Sequence, residues 1–358
     1  MPLSWLYGLV SDVRNAMFDC GMLPSVSYDI PIIDVGNLTV GGTGKTPHVE
    51  YLIRLLSGRY RVAMLSRGYR RKSKGYLLAM PESTVSEIGD EPWQIKHKFP
   101  EVYVAVDANR RRGIARLMTD EATRDVEVIL LDDAFQHRYV KAGQNILLMD
   151  YGRLISDDCL LPAGDLRERV SASQRATSVV VTKCPQHIPA IGYRTVMLSL
   201  HLRPYQQLFF STFNYGTMRQ LWGDGTLEPT ALRRDNSYVL LLSGIGNPQQ
   251  LEQDVRRFAQ HVTTLTFPDH HNYSQKDAGL VQRTLASLPK PRIIVTTEKD
   301  AARLLALRRV DEEVRQCTYV LPIEVDIMRD EKDKFDKMIL DYVRENKRNC
   351  GLASRKNA

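Results

Sequence analysis

The sequence has few cysteines, no long apolar run and no clustered zinc motif. Its 358 residues include five cysteines, and none stands in a C-x-x-C or other paired spacing. This scatter argues against a zinc site and against a disulfide framework, so we expect reduced thiols. The longest apolar runs have the length of a strand, well below the roughly 20 residues of a membrane-spanning helix. The chain is too long for one ordinary core, which predicts two domains.

The net charge of +7 fits an acidic partner such as a nucleic acid, an anionic membrane surface or a phosphorylated substrate. A nucleic acid is disfavoured, because aromatic residues do not alternate with the basic ones. The apolar segment around Trp5 and Tyr7 has no basic n-region and no cleavage site of a signal peptide. It predicts either an amphipathic helix in a membrane interface or a helix packed on its own domain.

Residues 32–47 run from an apolar strand through a glycine-rich turn into a helix. A nucleotide phosphate-binding loop requires this strand-turn-helix context. Its glycines let backbone N–H groups curve around a phosphate, Lys45 can reach the β and γ oxygens, and the Thr46 hydroxyl can ligate Mg²⁺. The strict pattern has glycine where Thr39 stands. We predict that a nucleoside triphosphate binds to Thr39, Gly41, Gly42, Thr43, Gly44, Lys45 and Thr46.

Strand candidates alternate with helical or loop segments along the first half of the chain. They lie at residues 61–66, 102–106, 126–131, 145–149 and 178–182, which predicts an α/β fold with a doubly wound, mostly parallel sheet. Extended stretches at 195–202 and 207–213 predict a two-stranded connector. A smaller α/β set follows, with strands at 238–242, 261–267, 292–297 and 319–323. The predicted divisions are an N-terminal helix (1–25), a P-loop domain (26–194), the connector (195–235), a smaller domain (236–345) and a disordered basic tail (346–358).

Charged residues follow several of these strands. Asp132 and Asp133 end a buried strand, where carboxylates hold Mg²⁺ in phosphate-loop proteins, although a capping or solvated role is the alternative. Arg67 and Arg70 lie in a basic segment that suits phosphate groups or, alternatively, forms a solvated loop.

Two further segments carry acid-base candidates. Residues 89–92 place Asp90 and Glu91 before Pro92, where either carboxylate could act in catalysis or as a helix N-cap. Residues 267–271 contain an Asp-His-His cluster suited to acid-base work. Metal ligation by the two adjacent histidines is disfavoured, because neighbouring side chains diverge on an extended chain.

Two rival interpretations have weak support in the sequence. Residues 243–248 superficially suggest a dinucleotide fingerprint, but Gln249 occupies the third glycine position, so a capped helix start is the better account. A P-loop switch or binding protein such as a GTPase would need an Asn/Thr-Lys-x-Asp motif. The nearest match, residues 182–185, ends in proline.

In order along the chain, the motifs VGNLTVGGTGKTP, SRGYRR, GDEP, LDDAFQH, LPAGDLRE, TKCP, FPDHH and TTEKDAARL resemble those of the tetraacyldisaccharide 4'-kinase family of lipid A biosynthesis. The resemblance implies two α/β domains joined by a β-ribbon hinge. It implies an ATP- and Mg²⁺-dependent kinase on the cytoplasmic face of the bacterial inner membrane. The substrate would be a tetraacylated glucosamine disaccharide 1-phosphate, phosphorylated on its 4'-hydroxyl to the 1,4'-bisphosphate. No obligate protein partner is implied.

The resemblance also implies roles for individual residues. Asp90 would be the base, assisted by His270 when the hinge closes, while His271 is less constrained. Lys45 and Thr46 would serve ATP and Mg²⁺, and Asp132 and Asp133 would be the metal-side carboxylates. The rim or substrate positions are Glu91, Arg67, Arg70, Arg110, Arg167 and Glu168. The family accepts threonine at position 39, and the chain departs from its usual motifs at Asp165 and Ala134.

Overall fold

The computed structural model describes the backbone of residues 2–356 and the side chains of residues 3–346. The chain divides into two compact units, Met1–Phe213 with Val325–Ala358, and Asn214–Glu324. The first part of the chain contains α1 (Pro2–Asp19), β1 (Ile32–Asn37), α2 (Lys45–Ser57), β2 (Val62–Ser66), β3 (Leu77–Leu78), α3 (Val85–Ile88), α4 (Asp90–Lys98), β4 (Tyr103–Val106), α5 (Arg110–Thr119), β5 (Val128–Asp132), β6 (Gln144–Asp150), β7 (Ser178–Thr182), α6 (Ala190–Ser199) and β8 (Gln207–Tyr215).

The rest of the chain contains β9 (Met218–Gln220), β10 (Thr226–Leu227), α7 (Ala231–Arg234), β11 (Tyr238–Ser243), α8 (Pro248–Phe258), β12 (His261–Thr266), α9 (Gln275–Ala286), β13 (Arg292–Thr297), α10 (Glu298–Leu304), α11 (Glu312–Cys317), β14 (Thr318–Leu321), β15 (Ile323–Ile327) and α12 (Lys332–Lys356). The chain leaves the first unit in β8 and returns to it in β15.

Within residues 2–356, nine strands form the sheet of the first unit, in the order β15-β8-β7-β6-β1-β5-β2-β4-β3. The neighbours from β8 to β4 pair in parallel, and β3 pairs antiparallel with β4. The sequence prediction of an α/β fold with a mostly parallel sheet is confirmed. Strands β1, β2, β5 and β7 are buried at every position, as expected when helices cover both faces of a parallel sheet.

Apolar residues at helical spacing hold the helices on this sheet. Helix α2 buries Val49, Leu52 and Leu56, and α12 buries Phe335 and Ile339 in the same cluster. The register of the central strands places Val35 opposite Asp132. The glycine-rich loop after β1 and the acid pair at the end of β5 therefore leave the sheet at the same carboxyl edge.

Two segments differ from their sequence predictions. Residues 195–202 were expected to be extended, but α6 runs through Ser199. Its buried Val196 and Leu200, with Tyr193 against the Phe210 ring, follow a helical rather than a strand period. The predicted partner stretch, 207–213, lies in β8 and pairs with β7 in the large sheet rather than in a two-stranded connector.

The C-terminal helix is longer than the sequence suggests. The sequence predicts a disordered tail over 346–358, but the backbone of α12 is helical through Lys356. Residues 344–347 contain no helix breaker, so the helix has no local reason to end there. Residues 357–358 lie outside the described part of the chain.

The second unit contains a six-stranded sheet among the described residues, in the order β10-β9-β14-β13-β11-β12. The four strands β14, β13, β11 and β12 are parallel, and β9 joins β14 antiparallel. The capped helix start predicted at residues 243–248 is present. The Asn247 side chain accepts a hydrogen bond of 3.2 Å from the Gln250 backbone N, and Pro248 is the first residue of α8.

Helix α1 packs on the first unit with one face and exposes the other. The Tyr7 hydroxyl donates to the Arg167 backbone oxygen at 2.8 Å, and Asn15 Nδ2 donates to Glu168 Oε1 at 2.9 Å. The exposed side is apolar and includes Trp5, which is 78% exposed. The same helix therefore packs on its own unit and presents an apolar surface.

None of the helices in the described residues is both long and apolar enough to cross a bilayer.

Candidate active site

The glycine-rich loop between β1 and α2 adopts the curved conformation of a phosphate-binding loop. Gly41 and Gly44 have φ values of 100° and 85°, in the region that favours glycine. A Cβ atom on Gly44 would lie 2.7 Å from the Phe213 ring, so a side chain there would also clash. Helix α2 starts at Lys45, which places its N-terminal N–H groups and the lysine side chain beside the loop.

Two residues that sequence reasoning missed brace this loop. Asn37 Nδ2 donates to Thr43 Oγ1 at 2.9 Å, and Lys45 Nζ donates to Asn37 Oδ1 at 3.3 Å. The Thr182 hydroxyl donates to the Thr43 backbone oxygen at 2.9 Å. Asn37 and Thr182 both lie at the carboxyl ends of strands. In the sequence, the only sign of this role was that each is a polar residue at the end of an apolar run.

His48 is a third brace that the sequence did not reveal. Its Nδ1 lies 2.7 Å from the Gly44 backbone oxygen, and its Nε2 lies 3.0 Å from Ser211 Oγ. Because a carbonyl can only accept, Nδ1 carries the proton and Nε2 accepts from Ser211. Burial lowers the pKa of His48 to about 4, so the ring is neutral near pH 7. This neutral imidazole ties the left-handed turn of the loop to strand β8.

Asp132 occupies the buried end of β5. Its Oδ2 accepts a hydrogen bond from Ser66 Oγ at 3.1 Å, while its buried Oδ1 has no partner among the described residues. Burial, reinforced by the neighbouring charges of Glu91 and Asp133, raises the pKa of Asp132 to about 7. An orphaned buried oxygen on such a carboxyl group suits a cation.

Asp133 lies in a different environment. Arg167 Nη1 donates to both of its carboxylate oxygens, at 2.9 and 3.1 Å, and Lys45 Nζ lies 3.6 Å from Oδ1. Burial alone would raise the pKa of Asp133, but Lys45 and Arg167 outweigh burial and hold that pKa below its ordinary value. The ion pairs connect three residues that the sequence analysis singled out.

The donor set at this edge fits Mg²⁺ bound together with a nucleotide. Mg²⁺ keeps several waters and uses one or two carboxylates plus phosphate oxygens. No group of three or more histidine, cysteine or acidic side chains in the described part of the chain forms a complete metal cage. The orphaned Oδ1 of Asp132 is one available oxygen ligand, and the Thr46 hydroxyl at the start of α2 is the residue type that supplies a second.

Asp90 starts helix α4 and is only 7% exposed. The sequence left an N-cap role open for Asp90 or Glu91, but the N-cap residue is Gly89, and Asp90 Oδ1 accepts a hydrogen bond of 3.1 Å from the Glu91 backbone N in the first turn. Gly89 has a φ of 93°, and a Cβ there would lie 3.1 Å from the Tyr69 backbone oxygen. Asp90 is therefore presented by a sharp turn that requires glycine. Glu91 is close enough to raise the pKa of Asp132.

The charges of four guanidinium groups act on the imidazole of His137. Burial and the charges of Arg110, Arg14, Arg111 and Arg67 lower the pKa of His137 to about 4. Helix α5 begins at Arg110, and no acidic residue stands in its first turn. Cations at a helix N-terminus oppose the helix dipole unless an anion binds there. We call Arg14, Arg67, Arg110 and Arg111 the arginine cluster.

Backbone carbonyls, an aromatic ring and nearby acidic side chains hold the arginine cluster in place. Arg110 is 2% exposed, and its two Nη atoms donate to the backbone oxygens of Asp107 and Asp132 at 2.9 and 3.1 Å. Its Nε has no partner within the described residues. The guanidinium carbons of Arg14 and Arg111 lie 6.0 and 5.3 Å from the centre of the Tyr139 ring. The charges of Asp132, Asp133 and Asp34 act on Arg110, whereas the Tyr139 ring lies beside Arg14 and Arg111.

The remaining rim positions separate into different environments. Glu168 is buried, accepts from Asn15 and forms an ion pair with Arg175, so it joins helix α1 to the loop that carries Arg167. The guanidinium carbon of Arg70 lies 5.5 Å from the centre of the Tyr69 ring.

The second unit carries the histidine pair in the loop after β12. His271 stacks on Phe267 with 4.7 Å between ring centres, and its Nε2 lies 3.1 Å from Asp277 Oδ2. Asp277 also completes the capping box of α9 with Ser274. His271 therefore supports the loop. His270 has a φ of 60°, a strained conformation of the kind that recurs at functional sites.

Comparisons with known proteins agree on one family. A family model described as LpxK, tetraacyldisaccharide-1-P 4'-kinase, matches residues 1–344. The tetraacyldisaccharide 4'-kinase of Bacteroides thetaiotaomicron is 48% identical over 365 residues, covering 100% of this chain and 96% of that protein. The protein of the same name from Bacteroides fragilis strain YCH46 is 49% identical over 361 residues, with the same coverage. The crystal structure of an "apo" form of LpxK from Aquifex aeolicus in complex with ATP is similar with a TM-score of 0.73 and 29% identity. That match covers 96% of this chain and 98% of the other.

Proposed function

The chain belongs to the tetraacyldisaccharide-1-P 4'-kinase family, and from this premise we propose that it transfers the γ-phosphoryl group of ATP to the 4'-hydroxyl of a tetraacylated disaccharide 1-phosphate. The product is the 1,4'-bisphosphate. One observation carries the proposal beyond the family name. The loop lysine, Lys45, lies 3.6 Å from Asp133, beside an Asp132 whose buried oxygen suits a cation. A kinase needs this combination of phosphate loop and carboxylates.

The phosphate loop neutralises and aligns the triphosphate. Lys45 binds the β and γ oxygens, and the backbone N–H groups at the start of α2 bind the β-phosphate. Thr46 and Asp132 would hold Mg²⁺, with Asp133 beside them, and the ion would screen the negative charge of the phosphates. The braces from Asn37 and Thr182 keep the loop in one conformation, so little reorganisation is needed during transfer.

Asp90 accepts the proton of the sugar hydroxyl as the phosphoryl group moves. Its burial at the start of α4 and the Gly89 turn behind it support this role, because a positioned base needs a fixed carboxylate. His270 assists the same proton transfer. Phosphoryl transfer depends more on positioning and charge neutralisation than on covalent chemistry, so these two groups act on alignment and on the proton.

The lipid substrate is bound at a membrane surface. The exposed apolar face of α1 inserts into the interface of the bilayer, at the cytoplasmic face of the inner membrane. Arg14 lies on the same helix and belongs to the arginine cluster, which binds the 1-phosphate of the disaccharide. Guanidinium groups suit a phosphate monoester, and four of them act on one imidazole, that of His137.

The alternative of a P-loop switch protein has a further difficulty. The TKCP segment occupies the place where a GTPase would read guanine. Here the Thr182 hydroxyl braces the phosphate loop, and Lys183 pairs with Asp150 at 2.7 Å. These contacts give Thr182 and Lys183 a structural role in place of guanine recognition.

Transfer of label from [γ-³²P]ATP tests the proposal. The purified protein should place the label on the 4'-oxygen of a tetraacyldisaccharide 1-phosphate in mixed micelles, with a requirement for Mg²⁺. A 4'-deoxy analogue is the matched control and should remain unlabelled. Release of labelled inorganic phosphate without labelled lipid would instead favour an NTPase.

A further inference from the structure

Helix α10 begins directly after β13 and carries two charged residues that are almost completely buried. Asp300 is 0% exposed and Arg303 is 6% exposed. Both belong to the TTEKDAARL motif, to which the reaction proposed above assigns no role. They lie in the second unit, at the carboxyl edge of its sheet, where β11, β12 and β13 end.

Asp300 joins the ends of the three strands. Its carboxylate accepts hydrogen bonds from the Gly244 backbone N at 3.0 Å, the Thr297 hydroxyl at 2.7 Å and the Tyr273 hydroxyl at 3.0 Å. A Cβ on Gly244 would lie 3.1 Å from Asp300 Oδ1 and 3.2 Å from the Pro268 backbone oxygen. A side chain at position 244 would therefore push Asp300 or the Pro268 backbone by a few tenths of an ångström, so glycine suits this close approach.

Arg303 extends this network to the histidine. Its Nη1 donates to the Gly244 backbone oxygen at 3.3 Å and lies 3.4 Å from Asp300 Oδ1. Its Nη2 lies 3.2 Å from His270 Nδ1. The His270 backbone N also donates to the Gly244 oxygen, at 3.3 Å. The Gly244 oxygen therefore holds the backbone of His270 directly and holds its ring through Arg303.

The contact with Arg303 determines which ring nitrogen carries the proton. A guanidinium group has five N–H donors and no acceptor, and it stays protonated in proteins. The His270 Nδ1 must therefore accept, so the neutral ring carries its proton on Nε2. Protonation of Nδ1 would remove this hydrogen bond and place a second positive charge against Arg303. The geometry thus favours the neutral Nε2–H form of His270.

We propose that Arg303, anchored by Asp300, is a positioning residue that holds His270 as the neutral Nε2–H tautomer, so that His270 serves the phosphoryl transfer as a hydrogen-bond donor through Nε2. The inference rests on the proposed role of His270 in this reaction. A donor of this kind orients a carboxylate base without competing for the proton that the base accepts.

The charges around the ring are consistent with this assignment. Asp269 Oδ2 lies 3.8 Å from Nε2, beyond hydrogen-bond distance, on the side where the proton is placed. The guanidinium of Arg303 faces Nδ1 from α10, with Asp300 behind it. The next ring, His271, directs its own Nε2 to Asp277. An acid therefore lies on the Nε2 side of His270 and a cation on the Nδ1 side.

Long-range ¹H–¹⁵N spectra of the full-length protein, labelled at its histidines, test the tautomer directly. His270→Gln identifies the signals of His270. In the wild type at pH 7.5, the ¹⁵N chemical shift of Nε2 should lie in the range of a protonated nitrogen. The shift of Nδ1 should lie in the range of an unprotonated nitrogen. In Arg303→Met the two chemical shifts should move towards each other, because the two tautomers exchange. Arg303→Lys should restore part of the difference between the two shifts. A protonated Nδ1 in the wild type, or an unchanged pattern in Arg303→Met, would overturn the inference.

Kinetics separate a positioning role from a structural one. Arg303→Met should lower kcat by roughly 10²-fold or more, the range for a lost acid-base partner, with KM for ATP changed less than about twofold. Arg283→Met, at an exposed position of α9, is the matched control and should behave as wild type. A kcat per folded molecule equal to that of the wild type would show that Arg303 acts only on folding.

His270 variants separate this inference from the proposed function. His270→Gln keeps an N–H donor and should retain at least about tenfold more activity than His270→Ala. Equal losses in the two variants would contradict the donor role. If both variants are as active as the wild type while the tautomer is as expected, the proposed role of His270 fails and the structural assignment stands.

Discussion

Asp132 and Asp133 are consecutive in the chain, yet their carboxyl groups lie in opposite electrostatic environments. Asp132 is buried and accepts a hydrogen bond from Ser66, and burial raises its pKa to about 7. Arg167 and Lys45 instead lower the pKa of Asp133 and keep it ionised. One carboxyl group can therefore release a proton when a cation arrives, while the other is a permanent anion that orients the loop lysine. We therefore propose Asp132, rather than Asp133, as the direct ligand of Mg²⁺.

Loss of the lysine or the hydroxyl of the phosphate loop should abolish transfer. Lys45→Ala and Thr46→Ala should each lower kcat/KM by roughly 10²–10³-fold, because each removes a group that stabilises charge in the transition state. Steady-state kinetics with a lipid substrate would measure this, with circular dichroism to confirm folding. Lys141→Ala, at an exposed position, is the control. Near wild-type rates in folded Lys45→Ala protein would refute the phosphate-loop assignment.

The raised pKa of Asp132 predicts a pH-dependent stability. The folded state keeps the proton of Asp132 up to about pH 7, whereas the unfolded chain releases it near 3.8. The folded state thus binds more protons across this range, and its stability contribution from Asp132 falls as pH rises from 4 to 7. Asp132→Asn should raise Tm at pH 8 but not at pH 4, by roughly 2–4 °C for each kcal/mol relieved.

Differential scanning fluorimetry without Mg²⁺ would measure these Tm values, with exposed Glu121→Gln as the control. The same linkage predicts that Mg²⁺ affinity in wild-type protein rises between pH 6 and 8, because the ion displaces the proton. A stabilisation of Asp132→Asn that is equal at pH 4 and pH 8 would rule out this explanation.

The arginine cluster should distinguish substrates by their 1-phosphate. Arg67→Ala and Arg111→Ala should raise KM for the disaccharide 1-phosphate by roughly tenfold or more, the cost of a lost hydrogen bond to a charged group. Their KM for an analogue without the 1-phosphate should equal that of the wild type. Exposed Arg124→Ala is the control. An increase in KM for ATP alone would place the cluster against the nucleotide instead.

Helix α1 should supply membrane affinity through its exposed face. Replacing Trp5, Leu6 and Leu9 with serine should lower binding to anionic vesicles by at least about tenfold, because each side chain contributes apolar area to the interface. Vesicle co-sedimentation would measure the partition. Tyr205→Ser removes an equally exposed aromatic residue outside α1 and is the matched control. Unchanged sedimentation of the triple variant would mean that α1 serves only to pack on its own unit.

Local patterns in the sequence identified the strands and the phosphate loop because both depend on neighbours in the chain. The run from Ile32 to Lys45 contains its own strand, turn and helix start, and the acid pair follows an apolar run of strand length. The parallel fold then brings these segments to one edge. Helix α6 was missed because β-branched and apolar residues at 195–202 also suit a strand.

The braces of the site could not be predicted from the sequence because they join distant positions. Thr182 is 139 positions from Thr43, and Ser211 is 163 positions from His48. Arg303 was visible only as part of a motif, and its contact with His270 depends on how three strand ends meet. Such contacts follow from tertiary packing, which cannot be read from local patterns in a single sequence.

The central claim is that Asp90 and His270 act as one unit in phosphoryl transfer, and a double-mutant cycle tests it most directly. Asp90→Ala and His270→Ala should each lower kcat by roughly 10²–10⁴-fold with little change in ATP binding, whereas His271→Ala should lose much less. The double variant should be little worse than the poorer single variant, because groups that act together are not additive. Losses that multiply in the double variant, or a silent His270→Ala beside an inactive His271→Ala, would contradict the account.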